Sequence, residues 1–519
     1  MIVQRIGRWF DDRLGASRFA RESLNKVFPD QWSFMLGEIA LYCFVVLLLS
    51  GLYLTFFYVP SPTLVHYHGS YGALRGVRMS EAYESTVRLS FDVRAGMVVR
   101  QMHHWAALVF IAAIVAHLCR IFFTGAFRRP REINWIVGVT LLILAIFNGF
   151  AGYSLPDDLL SGTGLRIAYS IALSIPVIGT WVAFLVFGGE FPADDILPRL
   201  FVTHVLIIPA AIAALLTIHL AVIWHQKHTQ FRGRGRREDN VVGSRLWPTY
   251  AAKSLGLFAL VAGVLALLGG LAQINPIWQY GPFEPAAVTT AAQPDWYLGW
   301  VEGALRIMPP VYLHVGSYSV SEIFWPAVVL PGLTFALLYA WPFLEAFATH
   351  DHAEHHLLDR PSERPVRTAI GVGVLAFHAT LLLAGAQDLW SQHLGISLDV
   401  VLWTFRVLVF VAPVVLALFT WKLCHDLEAG RHAEHEEARA ELPIAPYEVS
   451  SPPAPTAAAG PDITAEPPRP GVLRRLGDLV LGLVILVILR RSGPRSERRD
   501  PRATNTTPPA PDPFARSRR

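Results

Sequence analysis

Long apolar segments recur along the 519-residue chain and are separated by polar or charged stretches. Eight of them reach the roughly 20 residues that an α-helix needs to cross a bilayer. They lie approximately at 34–59, 98–123, 133–152, 199–224, 250–271, 322–344, 368–386 and 401–423. The pattern therefore predicts an all-α membrane protein with eight transmembrane helices.

The charges of the connecting loops predict how these helices are oriented. Basic residues concentrate in the loop after the second span, around Arg128 and Arg131, and in the loop at 227–245. The loop at 153–198 contains one cation, Arg166, and five acidic residues. Because basic loops stay in the cytoplasm, both termini are expected there.

Two of the apolar segments contain paired histidines. His103 and His117 are fourteen residues apart in one segment, and His204 and His219 are fifteen apart in another. At about 1.5 Å per residue the members of a pair lie about 21 Å apart on nearly the same helix face. A lone histidine in an apolar helix is more often a hydrogen-bonded core residue, but four at matched depths favour function. Because neutral imidazole is an axial ligand of haem iron, the pattern predicts two haem b groups, an outer one on His103/His204 and an inner one on His117/His219.

Glycines repeat with the spacing of the histidines. Gly37 and Gly51 in the first span, and Gly138 and Gly152 in the third, are each fourteen residues apart. Glycine lets a flat macrocycle approach neighbouring backbones closely. Ordinary packing of small residues between membrane helices is the alternative explanation. The match to the histidine spacing favours the haem interpretation.

Two arginines accompany the histidines of the second span. Arg100 precedes His103 by three residues, and Arg120 follows His117 by three. At the membrane interfaces they can form charge-assisted bonds to haem propionates. The alternative is that both side chains snorkel to the interface as anchors.

Composition excludes several other classes of protein. Hydrophobic residues make up 53% of the chain, and the net charge of +4 gives no basis for nucleic-acid binding. The three cysteines, Cys43, Cys119 and Cys424, lie in or beside apolar segments, and the sequence lacks a C-x-x-C-H motif. Attachment of a c-type haem or of an iron–sulfur cluster is therefore not expected in this chain.

Two stretches carry a family resemblance. The run HHWAALVFIAAIVAHLCRIFFTGAFRRPREINWIVGVT, followed by GYSLP, resembles cytochrome b of the quinol–cytochrome c reductase (cytochrome bc) complexes, in the actinobacterial style. The run QPDWYLGW at 293–300 resembles the family's P-E-W-Y motif, with aspartate in place of glutamate. The resemblance covers roughly residues 30–425. It implies a dihaem four-helix domain at 34–230 and a second four-helix domain at 231–425. Outside these domains, the sequence itself predicts a cytoplasmic lead-in at 1–33 and a cytoplasmic extension at 426–519, largely disordered with a short interfacial helix at 479–489.

The resemblance implies a quinol-oxidising pocket on the outer side. Pro294, Asp295, Trp296 and Tyr297 would form it, with Tyr153 in the loop that caps it. Asp295 and Tyr297 are the candidate catalytic residues, since quinol oxidation needs an acceptor that carries a proton outward. The aspartate is one methylene shorter than the usual glutamate. In the alternative interpretation, Asp295 caps a loop and the aromatic residues anchor the interface.

A second quinone site is expected near the inner haem. Many relatives have a histidine five residues beyond the last ligand and an aspartate after a lysine at the start of the fifth span. Here Trp224 and Ser254 stand at those positions, so His225 and Lys253 are the candidates. Interfacial snorkelling explains both nearly as well.

One further histidine cluster lies in the loop at 347–367. Its members are His350, His352, His355 and His356. A metal site or a proton buffer is one interpretation. A solvated, charged loop is favoured, and no metal ligands are assigned there.

The resemblance implies a respiratory function in a bacterial cell membrane. Quinol, expected to be menaquinol, would be oxidised at the outer site, and electrons would pass through both haems to the inner quinone site in a proton-translocating Q cycle. Implied partners are a Rieske iron–sulfur subunit and a cytochrome c subunit, in a homodimeric complex that could join a haem–copper oxidase, among membrane lipids. Two other functions stay open: a dihaem membrane anchor of a dehydrogenase or hydrogenase, and a multi-span transporter without haem.

Overall fold

The computed structural model describes residues 15–287, 293–316 and 318–440, together with a few isolated positions before residue 15. Beyond residue 431 it describes the backbone only. The interfacial helix expected at 479–489 and the expected disordered tail lie outside the described residues. Of these residues, those from Ala16 onward belong to one compact unit.

Eight helices among the described residues are long and apolar enough to cross a membrane, which confirms the predicted number of spans. They are Trp32–Thr55, Gly96–Phe123, Glu132–Tyr153, Ile196–Gln226, Leu246–Leu271, Trp325–Thr349, Pro365–Ala384 and Leu398–Arg431. The last helix continues to Ala440. The fourth span contains a π-helical turn at Thr203–Ile207 between the α-helices Ile196–Val202 and Ile208–Gln226.

Shorter elements occupy the connections, some of which the sequence analysis treated as loops. The helices are Ala16–Leu24, Glu81–Phe91, Leu159–Ser174, Gly179–Phe187, Ile277–Tyr280, Gly299–Ile307 and Gln387–Leu394. The strands are β1 (Val27–Phe28), β2 (Leu64–His66), β3 (Arg78–Ser80), β4 (Gln230–Phe231), β5 (Ser244–Arg245), β6 (Leu313–Val315), β7 (Tyr318–Val320) and β8 (Leu357–Leu358). They form the two-stranded pairs β1–β5, β2–β3, β4–β8 and β6–β7, of which only β4–β8 is parallel.

The first five spans share one apolar core. The second span packs against the first and the fifth, and the third packs against the fourth. Each of the five contributes a fully or nearly fully buried side chain: Cys43, Ala106, Leu142, Ile212 and Leu265. Apolar side chains on the opposite faces of the spans remain exposed, as expected of surfaces in contact with lipid acyl chains.

The last two spans form a second packing unit with the short helix Gly299–Ile307. This helix lies against the seventh span, which also packs along the eighth. At Gly303 a Cβ atom would overlap the backbone carbonyl of Leu381, so only glycine permits this approach. The arrangement fixes the segment immediately before Gly299, which contains the PDWY motif.

A buried ionic cluster joins two connections on one side of the bundle. Asp359 accepts bonds from Arg367 at 2.6 Å and Arg364 at 3.2 Å, and forms an ion pair with Arg128 at 3.1 Å. Burial raises the pKa of the Asp359 carboxyl, but the arginines, Arg128 first, lower it further, so it lies below its usual value. The cluster ties the segment after the second span to that before the seventh.

Candidate functional site

Two cavities lie within the bundle, one near each end. The His103 cavity, of about 620 Å³, is lined by His103 and His204. The His117 cavity, of about 280 Å³, is lined by His117 and His219. Phe44, Phe110 and Ile212 line both, so a single layer of side chains separates the cavities. The Phe44 and Phe110 rings stack with centroids 5.8 Å apart.

His103 and His204, the ligands predicted for the His103 cavity, lie close together. Their ring centroids are 6.1 Å apart. Two imidazoles on opposite sides of one iron, each about 2 Å from it through a ring nitrogen, would have centroids about 6 Å apart. His103 Nδ1 lies 2.9 Å from Ser50 Oγ, and His204 Nδ1 lies 3.0 Å from the Asn148 carbonyl oxygen. These bonds fix the rings and leave each Nε2 for a metal, as is usual for ligating histidines.

The π-helical turn explains the unequal histidine spacings. A π-turn inserts one extra residue into an α-helix, and such turns are frequent at functional sites. His204 lies within the turn Thr203–Ile207. The fifteen-residue spacing to His219 therefore spans the same number of helical turns as the fourteen residues from His103 to His117. Both pairs can then occupy the same two depths.

Each of the four predicted glycines faces one of the four histidines. A Cβ atom would lie 3.2 Å from His117 Cε1 at Gly37, 3.2 Å from His103 Cε1 at Gly51 and 3.7 Å from His219 Cε1 at Gly138, and at Gly152 it would overlap the His204 ring. Real Cβ contacts are rarely as short as 3.2 Å, and an overlap forces the ring to move. The glycines therefore leave space that the imidazole rings use.

Arg100 and Arg120 each line one cavity. The Nε and Nη2 atoms of both are buried without a hydrogen-bond partner in the described part of the chain. Arg100 lies 5.7 Å from the Trp278 ring centroid, and Arg120 lies 4.0 Å from that of Phe34. Buried guanidinium groups with free donors suit carboxylate ligands. Paired imidazoles, glycines and an arginine in each cavity together fit a bis-histidine haem with propionate groups.

The PDWY segment contributes a carboxylate to the His103 cavity. Asp295 and Tyr297 both line it. The Asp295 oxygens lie 2.9 and 3.0 Å from His104 Nε2, and the Tyr297 hydroxyl donates to Asp295 Oδ2 at 3.2 Å. Burial, followed by the charge of Asp295, raises the pKa of Tyr297 well above its usual value. Asp295 is the only acidic side chain among the described residues that line this cavity.

The other predicted residues of this pocket divide into two groups. Tyr153 lines the His103 cavity and is buried. Pro294 and Trp296 do not line it, and the Trp296 side chain is 37% exposed. His104 was missed by the sequence analysis. In the sequence, His104 is distinguished only by its position directly after His103. One residue corresponds to a rotation of about 100° around the helix, so His104 points away from the histidine pair.

The predicted residues of the second quinone site do not line the His117 cavity. His225 is exposed, because it lies six residues beyond His219 and therefore about 240° around the helix from it. The Lys253 ammonium group instead pairs with Asp30 at 2.6 Å, with its side chain 48% exposed. The cavity is lined at this end by Glu38, Lys227, His228 and Tyr250.

The histidines of the loop at 347–367 mostly brace neighbouring segments. His355 Nε2 lies 3.0 Å from Asp351 Oδ2, and Arg131 Nη2 donates to His356 Nδ1 at 2.9 Å. Arg129 reaches the His352 carbonyl at 3.2 Å. The described part of the chain contains no group of three or more histidine, cysteine or acidic side chains placed to hold a metal ion.

Known proteins resemble the chain along most of its length. Residues 108–282 match the family model described as "Cytochrome b(N-terminal)/b6/petB". Proteins called "Cytochrome bc1 complex cytochrome b subunit" from Streptomyces coelicolor and Mycobacterium tuberculosis are 48% and 52% identical over 426 and 428 residues, which cover 82% of this chain and 78% of each relative. A solved chain titled "Hyperthermophilic respiratory Complex III" aligns with a TM-score of 0.60 at 22% identity, covering 80% of this chain and 99% of that one. At this identity the last similarity shows a shared fold.

Proposed function

The chain belongs to the cytochrome b subunits of cytochrome bc1 complexes, the quinol–cytochrome c oxidoreductases of respiratory chains, and we propose that it oxidises quinol beside the His103 cavity and reduces quinone beside the His117 cavity. The observation that carries this proposal is that Asp295 and the His103–His204 pair line one continuous cavity. The proposed proton acceptor, Asp295, and the proposed ligands of an electron-accepting haem then lie beside the same quinol molecule.

Two haem b groups are part of the proposal. His103 and His204 would hold one of them, with Arg100 at its propionates, and His117 and His219 would hold the other, with Arg120. Haem in these positions supplies one-electron acceptors and donors. The glycines opposite the histidines keep the rings free of steric contact. Phe44 and Phe110, which line both cavities, leave only one layer of side chains for an electron to cross.

In quinol oxidation, Asp295 accepts a proton from a quinol hydroxyl. His104 and Tyr297 hold its carboxyl group in position beside the cavity. Tyr153 forms part of the apolar wall that shields the substrate from water. Since oxidation of one quinol releases two protons and two electrons, Asp295 must discharge its proton outward before the next turnover.

The direction of proton transfer follows from the proposed orientation. The arginine-rich connections lie at the end of the His117 cavity, which is lined by Arg131 and Lys227. By the positive-inside rule this end, and both termini, face the cytoplasm. Quinol oxidation would then release protons outside the bacterial cell membrane, and quinone reduction would take them up inside, as in a Q cycle.

Family membership supports the remaining proposals. A Rieske iron–sulfur subunit and a cytochrome c subunit would take the electron that leaves the His103 side, since this sequence contains neither an iron–sulfur nor a c-haem motif. We assign menaquinol as the substrate and a homodimer as the state of the complex, with a haem–copper oxidase as a further partner. The division into segments 1–33, 34–230, 231–425 and 426–519 belongs to the same proposal.

Family membership disfavours the two rival functions, a dihaem anchor and a transporter without haem. An anchor passes electrons between a quinone and a partner but does not need a quinol-oxidising carboxylate at the opposite end. The placement of Asp295 in the His103 cavity favours the reductase over the anchor. If the protein were a transporter of this kind, it would contain no haem after purification.

A redox-titrated visible spectrum of the purified complex tests the proposal. We expect two b-type components in the wild type, and the loss of a different one in His103→Ala and in His117→Ala. His225→Ala is the matched control, because this exposed histidine lines neither cavity. The same missing component in both variants, or none, would contradict the assignment of one haem to each cavity.

A further inference from the structure

Glu38 is the only acidic side chain among the described residues that line the His117 cavity. It lies in the first turn of the first span, directly after Gly37, which faces the His117 ring. Glu38 is therefore the chain neighbour of a glycine that faces a proposed ligand and lines the same cavity. The sequence analysis did not single out this residue.

Three hydroxyl groups from two spans point at the Glu38 carboxylate. The Ser254 hydroxyl donates to Oε2 at 2.7 Å, and the Tyr42 hydroxyl donates to the same oxygen at 3.3 Å. The Tyr250 hydroxyl donates to Oε1. These hydrogen bonds hold the Glu38 carboxyl group in place within a largely apolar wall.

Ser254 joins this network from the fifth span, directly after Lys253. The fifth span supplies the donor and the first span supplies the carboxylate. The hydrogen bond therefore fixes the carboxyl group at the junction of two spans.

Apart from Lys227, the other titratable groups on the cavity wall are poorly suited to give a proton. Burial, and then the charges of Lys26, Arg131 and Arg120, lower the pKa of His228 to about 4, so this imidazole is neutral at physiological pH. Arginine retains its proton, and an unperturbed tyrosine has a pKa of about 10. His117 and His219 are the proposed iron ligands.

We propose that Glu38 is the proton donor of the inner quinone site. This inference rests on the proposed function. Quinone gains two electrons, which derive from quinol oxidised at the other cavity, and two protons. Glu38 gives one proton to a quinone oxygen and becomes a carboxylate, which is reprotonated by cytoplasmic water. The other quinone oxygen takes its proton from water that enters beside Lys227.

The direct test isolates the His117 cavity in an Asp295→Asn background. The purified complex is reduced anaerobically and mixed with 2,3-dimethyl-1,4-naphthoquinone, and the reoxidation of haem b is followed optically. We expect Glu38→Gln to slow reoxidation at least about 10-fold, since general acids commonly contribute about 100-fold or more. Glu132→Gln is the matched control, because Glu132 lies in the first turn of the third span and lines neither cavity.

A swap variant separates the chemistry from the fold. Glu38→Ser combined with Ser254→Asp moves the carboxylate to the other end of the same hydrogen bond. We expect this double variant to recover most of the lost rate, whereas Glu38→Ser alone stays slow. Unchanged haem spectra in all variants show that the bundle is intact. A swap variant as slow as the single variant would overturn the equivalence of the two positions.

An infrared difference spectrum gives a readout that does not depend on turnover. Quinone reduction should change a carboxyl C=O band that is absent in Glu38→Gln and present in Glu132→Gln. Failure of the proposed function and failure of this inference are distinguishable. No quinone-driven reoxidation in the Asp295→Asn background itself contradicts quinone reduction at this cavity. Normal reoxidation in Glu38→Gln, with the carboxyl band retained, overturns only the role of Glu38.

Discussion

The two cavities of the bundle have the same parts in different settings. Each is lined by its two predicted haem ligands, the two glycines that face them, the nearby arginine of the second span and, among the described residues, a single acidic side chain. In the His103 cavity the acid is Asp295, which comes from the connection after the fifth span and contacts a histidine and a tyrosine. In the His117 cavity it is Glu38, which comes from the first span and contacts three hydroxyls.

The histidines also differ in their support. Both Nδ1 atoms of the His103 cavity have hydrogen-bond partners, Ser50 and the Asn148 carbonyl. His117 Nδ1 is buried without one among the described residues. Histidines, glycines and arginines thus recur in both cavities, where we propose one haem each. The chemistry specific to each end depends on the carboxylate and on which part of the chain supplies it.

The largest expected effect is that of replacing Asp295, and it distinguishes this carboxylate from that of Glu38. Asp295→Asn should lower quinol-driven electron transfer about 100-fold, in line with the loss of a general base, while both b-type components remain. The measurement is steady-state quinol–cytochrome c reductase activity of the purified complex beside its visible spectrum. Asp194→Asn, an exposed acid in the loop at 153–198, is the control. Wild-type activity in Asp295→Asn would remove the proposed base.

A smaller effect is expected from the histidine that holds Asp295. His104→Phe removes the partner of the carboxylate but leaves the adjacent ligand His103 in place, so haem content should persist while activity falls about 10-fold. His104→Gln, which retains a side-chain NH donor, should recover part of the loss. If both variants keep full activity, the 2.9 Å contact has no role in quinol oxidation.

The glycines give a graded comparison between the cavities. Gly152→Ala places a Cβ atom on the His204 ring and should remove most of the b-type component of the His103 cavity. Gly138→Ala places it 3.7 Å from His219 Cε1, an ordinary contact, and should leave the other component within about 20% of the wild type. Haem-to-protein ratios measure both. Equal losses of haem in the two variants would contradict the expectation that the effect depends on the distance between the added Cβ atom and the histidine ring.

The smallest expected effect concerns a buried acid beside Arg100. Burial raises the pKa of Asp158 to about 6, against hydrogen bonds from Ser161 and the charge of Arg100, which lower it. Because the folded-state pKa is raised, the protonated form contributes stability that is present below about pH 4 and is lost as the pH rises through 6. Asp158→Asn should therefore raise Tm by about 2 °C above pH 6 and leave it unchanged near pH 4. A constant difference at every pH would refute this assignment.

The spans and the spacing of the histidines were predictable because both depend on local periodicity. A run of about 20 apolar residues has few structures available to it in a membrane, and histidines fourteen or fifteen residues apart are visible in the sequence. The PDWY segment was recognisable by resemblance. Its helical continuation, Gly299–Ile307, was not predicted, because the packing of Gly303 on the seventh span depends on the tertiary fold.

The residues that the sequence analysis missed owe their roles to distant contacts. His104 meets Asp295 across 191 positions, and Glu38 meets Ser254 across 216. A glutamate at the start of a span, read alone, is indistinguishable from an interfacial residue. His225 and Lys253 were chosen by their nearness to positions used in relatives, but helix rotation directs His225 away from the cavity, and Asp30 holds Lys253 at the surface.

Stopped-flow spectroscopy of haem b after mixing the oxidised complex with a menaquinol analogue tests most directly whether the two cavities run opposite reactions. We predict that Asp295→Asn abolishes the rapid reduction of haem b. Glu38→Gln should retain the rapid reduction and lose the subsequent reoxidation, so that haem b stays reduced. If both variants slow the same phase, the two carboxylates do not serve separate sites, and the proposal of opposite reactions in the two cavities is wrong.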